Sequence, residues 1–242
     1  MKKYRLTEET IRVGNRTLYR IQALRDFGEV KEGELGGYIE AEKNLSQCCD
    51  AWVSDNAQVS DNAQVSGDAR VYGNARVYGD AWVSGNARVY GDAWVSGDAC
   101  VSGDACVYGD AWVSGDACVS GDACVYGDAR VSGDARVSGD AWVYGNAWVY
   151  GNARVSGNAQ VSGDADIKTT GDICSMSGFG SEYRTTTAFR TKNGDVHVFC
   201  GCFFGSLEAF CQRVESTHGN NLYGREYKKM IEMLKIHFEV EP

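Results

Sequence analysis

The sequence predicts a mainly β fold: a parallel β-solenoid of six to seven coils, with an N-terminal hairpin cap and a small C-terminal α+β module. Three observations carry that expectation. Ala recurs at every sixth position from Ala51 to Ala165, with Val two residues later from Val53 to Val161 and Ile167 closing the series. Gly followed by Asp or Asn separates the units, and these residue types tolerate the left-handed backbone of tight corners. A longer period of eighteen is also present, because GDAWVSGDACVSGDACVY runs from Gly91 to Tyr108 and returns unchanged from Gly109 to Tyr126.

Ala and Val stand two residues apart, so in an extended segment they share one side, while the variable residue between them and the Ser or Tyr after them share the other. Taking every third unit sorts that last position into columns. One reads Ser54, Tyr72, Tyr90, Tyr108, Tyr126, Tyr144, Ser162; another is Ser throughout, from Ser66 to Ser156. Three units therefore make one coil, and at roughly 4.8 Å per coil the rod is about 32 Å long.

The chain divides into a cap at 1–49, the solenoid at 50–173 and a ββαα module at 174–242. In the cap, TIRVGNRTLYRIQAL reads as a hairpin turning at Gly14-Asn15, followed by an irregular stretch. Asp55 and Asp61 replace the usual Gly, which marks an atypical first coil. In the module, TTTAFRTKNGDVHVFC reads as a hairpin turning at Asn193-Gly194. Two amphipathic helices follow it. Ser206 caps the first, whose apolar face is Leu207, Phe210, Cys211 and Val214; the second presents Tyr223, Tyr227, Met230, Ile231, Leu234 and Phe238.

The solenoid segment resembles the hexapeptide-repeat left-handed β-helix. The resemblance alone implies the left hand, since parallel crossovers generally take the opposite one. The stretches SGFGSEYRTTTAFRTKNG, CGCFFGSLEAF and HGNNLYGREY, with YRIQALRDFGEVKEGELGGYIE near the N-terminus, resemble phage and prophage proteins of this type. That group implies no activity that transfers residue by residue. Many hexapeptide-repeat proteins are acyltransferases with a His at the coil surface as general base, but residues 51–166 contain no His and no inserted loop. His197, His218 and His237 all lie outside the repeat, so the zinc site known on this fold has no counterpart either. No catalytic residue, cofactor or metal is expected. Cys200, Cys202, Cys211 and His218 offer zinc-ligand types, but not at zinc-finger spacing.

Of the 242 residues, 30 are Gly and the single Pro is the last, so glycine serves regular turns. No leader-like apolar run follows the first lysines, which suggests a soluble protein kept in the cytoplasm, with no membrane partner. The ten Cys are then expected as reduced thiols, although the pairs Cys100/Cys118 and Cys106/Cys124 stack closely enough for a redox staple. The net charge of −9 sits entirely on the repeat, where 51–166 holds six Arg and fifteen Asp. Such a rod disfavours direct binding of nucleic acid.

Four features are candidates for function. The tyrosine ladder Tyr72, Tyr90, Tyr108, Tyr126 and Tyr144, with Arg70, Arg88, Cys106, Cys124 and Trp142 two residues before each, is either a self-stacking structural element or an exposed protein-binding face. Trp94, Trp112 and Trp148, with Arg76 and Arg130, form a second such face for a protein partner or a second copy. Asp92, Asp98, Asp104, Asp110, Asp116, Asp122, Asp128, Asp134 and Asp140 are nine consecutive acidic corners, about one charge per 1.6 Å of axis, which raises mimicry of duplex DNA beside ordinary turn geometry. Ser181, Arg184, Thr185, Arg190 and His218 are polar candidates for a small-anion or nucleotide site in the module. The expected function is a non-enzymatic rod that binds a macromolecule, with phage counter-defence as the alternative and an acyltransferase third.

Overall fold

The computed structural model describes residues 2–240. Strands β1 (Tyr4–Val13) and β2 (Arg16–Ala23) form the N-terminal hairpin around Gly14-Asn15, with Gly14 at φ +59°. Strand β3 (Leu35–Ile39) pairs antiparallel with β2 and parallel with the solenoid, Tyr38 opposite Gln58, so the cap and the rod share one sheet. Its Gly36-Gly37 pair lies in the stretch read from the sequence as irregular. A β-carbon on Gly37 would lie 2.7 Å from the Ala57 carbonyl oxygen, so this close approach is what requires glycine.

Twenty two-residue strands follow, one every six residues, from β4 (Trp52–Val53) to β23 (Asp166–Ile167). Every third strand belongs to the same sheet. The first sheet continues from β3 to β23, the second runs from β4 to β22 (Gln160–Val161), and the third from β6 (Gln64–Val65) to β21 (Arg154–Val155). Neighbouring rungs are parallel and in register at an offset of eighteen residues, with Cys106 opposite Cys124 and Trp94 opposite Trp112. The result is a parallel β-solenoid of about seven turns.

The Ala and Val of every unit are at most 1% exposed and fill the interior. Small and branched side chains stacked on their own kind make a continuous core. The corner glycines from Gly67 to Gly163 take φ between +63° and +74°, and a β-carbon on Gly109 would meet the backbone nitrogen of Gly127 at 3.0 Å. Asp55 and Asp61 hold the same left-handed conformation at φ +57° and +60° without being glycine. Their carboxylates accept hydrogen bonds from the amides of Gly73 and Gly79 in the next coil, at 3.0 and 3.2 Å, which offsets the strain.

Both ends of the interior are plugged. Below the first coil lie Tyr4, Ile21, Ile39 and Leu45, and above the last lie Ile173 and Phe189. Lys3 is fully buried at the lower end, its ammonium donating to the carbonyls of Ala51 (2.7 Å), Cys49 (3.3 Å) and Cys48 (3.4 Å) over the ring of Phe27. Burial of the charge lowers its pKa to about 8. At the upper end the Thr187 hydroxyl accepts from Gln160 N, and Thr191 bridges Ala165, so the module covers the open edges of two sheets.

The module has four strands where the sequence suggested two. Strands β24 (Ile173–Phe179), β25 (Arg184–Arg190), β26 (Val196–Cys200) and β27 (Phe203–Ser206) form one antiparallel sheet, backed by α1 (Leu207–His218) and α2 (Leu222–His237). Ile173 stands six residues after Ile167 and so imitates another rung. Its side chain does join the solenoid core, but its backbone pairs with Phe189 as the first residue of the module sheet. Ser206 caps α1 by accepting from Ala209 N, and Asn221 caps α2 through Gly224 N. Leu207, Phe210, Val214, Met230, Ile231, Leu234 and Phe238 are buried between helices and sheet, with Cys211 and Tyr227 partly so.

Candidate functional site

The alternation of each rung aims its middle residue outward, and the register then stacks these residues into straight columns. On the first sheet the column reads Arg76, Trp94, Trp112, Arg130, Trp148. Trp94 and Trp112 stack at 4.8 Å with planes 5° apart. The Arg76 guanidinium covers Trp94 at 5.0 Å, and that of Arg130 lies between Trp112 and Trp148 at 5.4 and 5.2 Å. Lys192, from the turn of the module hairpin, continues the stack at 4.9 Å from Trp148 and donates to the Asn146 carbonyl. Six side chains, three cations and three rings, thus form one continuous stack along the rod. Trp112 and Trp148 remain 41% and 40% exposed, and a groove of about 370 Å³ beside them is floored by Ser114, Ser132 and Tyr150.

The second sheet carries the tyrosine ladder. Successive rings from Tyr72 to Tyr144 stand 4.8 to 5.0 Å apart and within 3° of parallel. Of the two readings open for the ladder, a self-stacking element or an exposed face, the self-stacking is present. Each tyrosine is half-buried: neighbouring rings cover both faces of Tyr90, Tyr108 and Tyr126 and one face of Tyr72 and Tyr144, leaving mainly the edges to solvent. Burial raises the pKa of Tyr72, Tyr90 and Tyr126 and pushes Tyr108 up to about 12. Trp142 meets Tyr126 edge-on, and Arg70 is paired with Glu29 of the cap at 3.0 Å. Arg88 is exposed.

Cys100 lies opposite Cys118 and Cys106 opposite Cys124, and all ten cysteines are free thiols. Burial and the neighbouring Cys106 push Cys124 up to about 11, and burial raises Cys118. Such thiols are poor nucleophiles at neutral pH.

The nine consecutive Asp all lie exposed at the corners, three to each edge of the triangular rod. Below each run an Asn donates upward into the column: Asn74 to Asp92 at 3.0 Å, Asn86 to Asp104 at 2.7 Å, and Asn62 to Asp80, just under Asp98, at 2.9 Å. No group of three or more His, Cys, Asp or Glu among the described residues is arranged to hold a metal ion.

The module candidates do not converge. Arg184 and Arg190 lie at opposite ends of β25, about 20 Å apart at roughly 3.3 Å per residue. Arg190 donates to the carbonyls of Phe238 (2.7 Å) and Gly194 (3.1 Å) and covers the Phe238 ring, which is a structural clasp. Thr185 bonds Ser177 on the other face of the strand, while Ser181 is exposed in the preceding turn. His218 stacks on Tyr227 at 5.5 Å, and Tyr227 in turn approaches Cys200, which accepts from Thr186 at 3.1 Å.

A family model described as the YdcK beta solenoid repeat matches residues 63–79, 69–85, 83–97, 129–145 and 147–163. The chain is a β-solenoid repeat protein. All the matched stretches fall within the solenoid, and none reaches the cap or the module. No curated protein matches the chain. No helix among the described residues is long and apolar enough to cross a membrane. Sequence reasoning missed Lys192 and the groove residues Ser114, Ser132 and Tyr150. Their signal was available only for the groove, in the column two positions after each Trp or Arg; Lys192 arrives from a separate element.

Proposed function

We propose that this solenoid is a non-catalytic binding rod that docks a protein partner on the column Arg76, Trp94, Trp112, Arg130, Trp148. The observation that supports this is the combination of a flat sheet, exposed tryptophans and intercalated cations in one line, capped by Lys192. Trp and Arg dominate the energetics of protein interfaces, and a column held by its own stacking presents them with little entropy left to lose on docking. On this reading the gene belongs to a phage or another mobile element, which rests on the resemblance of the cap and C-terminal segments. Counter-defence by mimicry of duplex DNA is the alternative raised by the acidic corners. Three straight edges of Asp differ from two helical strands of phosphate, which favours docking on the aromatic column.

The test compares native-lysate capture by the wild-type protein and by a Trp112→Ser/Trp148→Ser variant, with the interface mapped by hydrogen exchange. The expected outcome is one stoichiometric partner that protects the first sheet and is lost from the variant. A partner retained by the variant overturns the reading. Replacing the nine Asp by Asn separates the alternatives, because a duplex mimic loses its partner and a docking rod keeps it.

A further inference from the structure

The tyrosine column does not begin with a tyrosine. One coil below Tyr72 the same position is Ser54, and among the described residues Tyr72 stacks on Tyr90 alone. No ring therefore lies against the Tyr72 face that looks toward the cap. A pocket of about 490 Å³ opens at this level, lined by Ser54, Tyr72, Trp52, Arg70, Arg88 and Glu29. That volume lies within the range of small-ligand sites, roughly 300 to 1,000 Å³.

The lining is rich in donors. Arg70 and Arg88 are register partners on adjacent rungs, so two guanidinium groups stand one coil apart on one wall. Trp52 is only 3% exposed, and its Nε1–H has no hydrogen-bond partner among the described residues. That nitrogen is closed off from solvent, so the lining of the pocket takes its donors from the other residues. The Ser54 and Tyr72 hydroxyls add two more donors. The one carboxylate lining the pocket is Glu29, which binds Arg70 at 3.0 Å although its own side chain is 86% exposed. Such an exposed ion pair is weak and readily exchanged for a stronger anion. Of the other carboxylates nearby, Asp55 is engaged by the Gly73 amide, and Asp50 lies against Gly28 beside the Arg70 guanidinium.

We propose that this pocket binds a mononucleotide. The base lies under Tyr72 as the next rung of the ladder, where the 4.8 Å spacing of the tyrosines already defines a slot for a flat ring. The phosphate displaces Glu29 from Arg70 and reaches Arg88, because phosphate accepts from guanidinium groups more strongly than an exposed carboxylate does. A ring at the level of Ser54 and an anion at the level of the arginines are both required, so the site selects a ligand that is aromatic and anionic at once. The site is independent of the docking column on the first sheet.

Isothermal titration of the full-length protein with AMP, GMP, CMP and UMP tests this, with adenosine and inorganic phosphate as the separate halves. The expected result is binding of at least one nucleotide, with each half weaker by about tenfold or more, equivalent to roughly 1.4 kcal/mol. Glu29→Gln removes the competing carboxylate and should tighten nucleotide binding severalfold. Ser54→Tyr extends the ladder into the pocket and should abolish binding without lowering the melting temperature. The proposal is overturned if no nucleotide binds at millimolar concentration, if inorganic phosphate binds as tightly as the nucleotides, or if a correctly folded Ser54→Tyr protein binds unchanged.

Discussion

Tyr108 and Tyr126 stack ring over ring, centroids 4.8 Å apart and planes within 3° of parallel. The two residues are the last letters of the two identical eighteen-residue blocks, so the contact arises between a residue and its own copy. Parallel, in-register pairing is the only arrangement that brings every duplicated side chain onto its duplicate.

The ladder should make the protein sensitive to alkali. Folding raises the tyrosine pKa values, so the folded state holds protons that the unfolded state releases. The associated stability is complete below pH 10 and is lost as pH rises through the folded value, about 12 for Tyr108. Absorbance of tyrosinate near 295 nm should appear later in the native protein than in urea, and Tyr108→Phe should flatten the fall of the urea midpoint above pH 10. A native titration coincident with the unfolded one would sink the idea.

Lys3 should act in the opposite direction and in a lower window. Below about pH 8 the lysine is charged both folded and unfolded, and burying the ammonium opposes folding. Between about 8 and its model-compound value of 10.5 the unfolded chain binds the extra proton, so stability rises with pH. The Cys124 thiol begins to oppose this above pH 9. The difference in urea midpoint between wild type and Lys3→Met should therefore grow in favour of wild type from pH 8 to pH 9. A difference independent of pH would show that the amine titrates normally.

Removing Gly91 to Tyr108 deletes one coil and restores every column, whereas removing only Gly91 to Ser96 shifts each later residue to the next sheet. The first deletion should leave a cooperative thermal transition a few degrees below wild type; the second places Phe189 and Thr187 over the wrong edges and should unfold the module. Circular dichroism and calorimetry distinguish them, and equal behaviour would mean that the module does not read the rod's register.

Thiol chemistry should follow exposure. Iodoacetamide at pH 8 should modify exposed Cys48, Cys49 and Cys202 first, and Cys118 and Cys124 last, since burial raises their pKa. Intact mass after denaturing alkylation without reduction should show ten adducts. Fewer adducts, with two mass units missing per absent pair, would establish the disulfide staples instead.

The coil, its three columns and the partners within each column were legible in the sequence because a strand's period of two and a corner's need for Gly act at every unit alike. The ends were not. Gly36-Gly37 lies in a stretch read as irregular and is a strand pressed against a carbonyl; β24 alternates over only Cys174 to Ser177, and β27 is only four residues long. A buried Lys3 has no pattern in sequence at all, since what holds it is a ring of backbone carbonyls. The sequence left the tyrosines open as a self-stacked column or an exposed face, and how far each ring covers the next is visible only once the coils are stacked. The slot beneath Tyr72 is the converse case, visible in the column as a Ser but meaningful only once Trp52, Arg70 and Glu29 are placed around it.

The in-register offset of eighteen residues also sets the geometry between the two ends. The cap and the module are fixed to a shaft that grows only by whole coils, each adding roughly 4.8 Å and returning to the same bearing. Anything held at one end and anything held at the other are thereby kept at a gauged distance, adjustable in single increments by copying or losing one block of sequence, with no change in the angle between them.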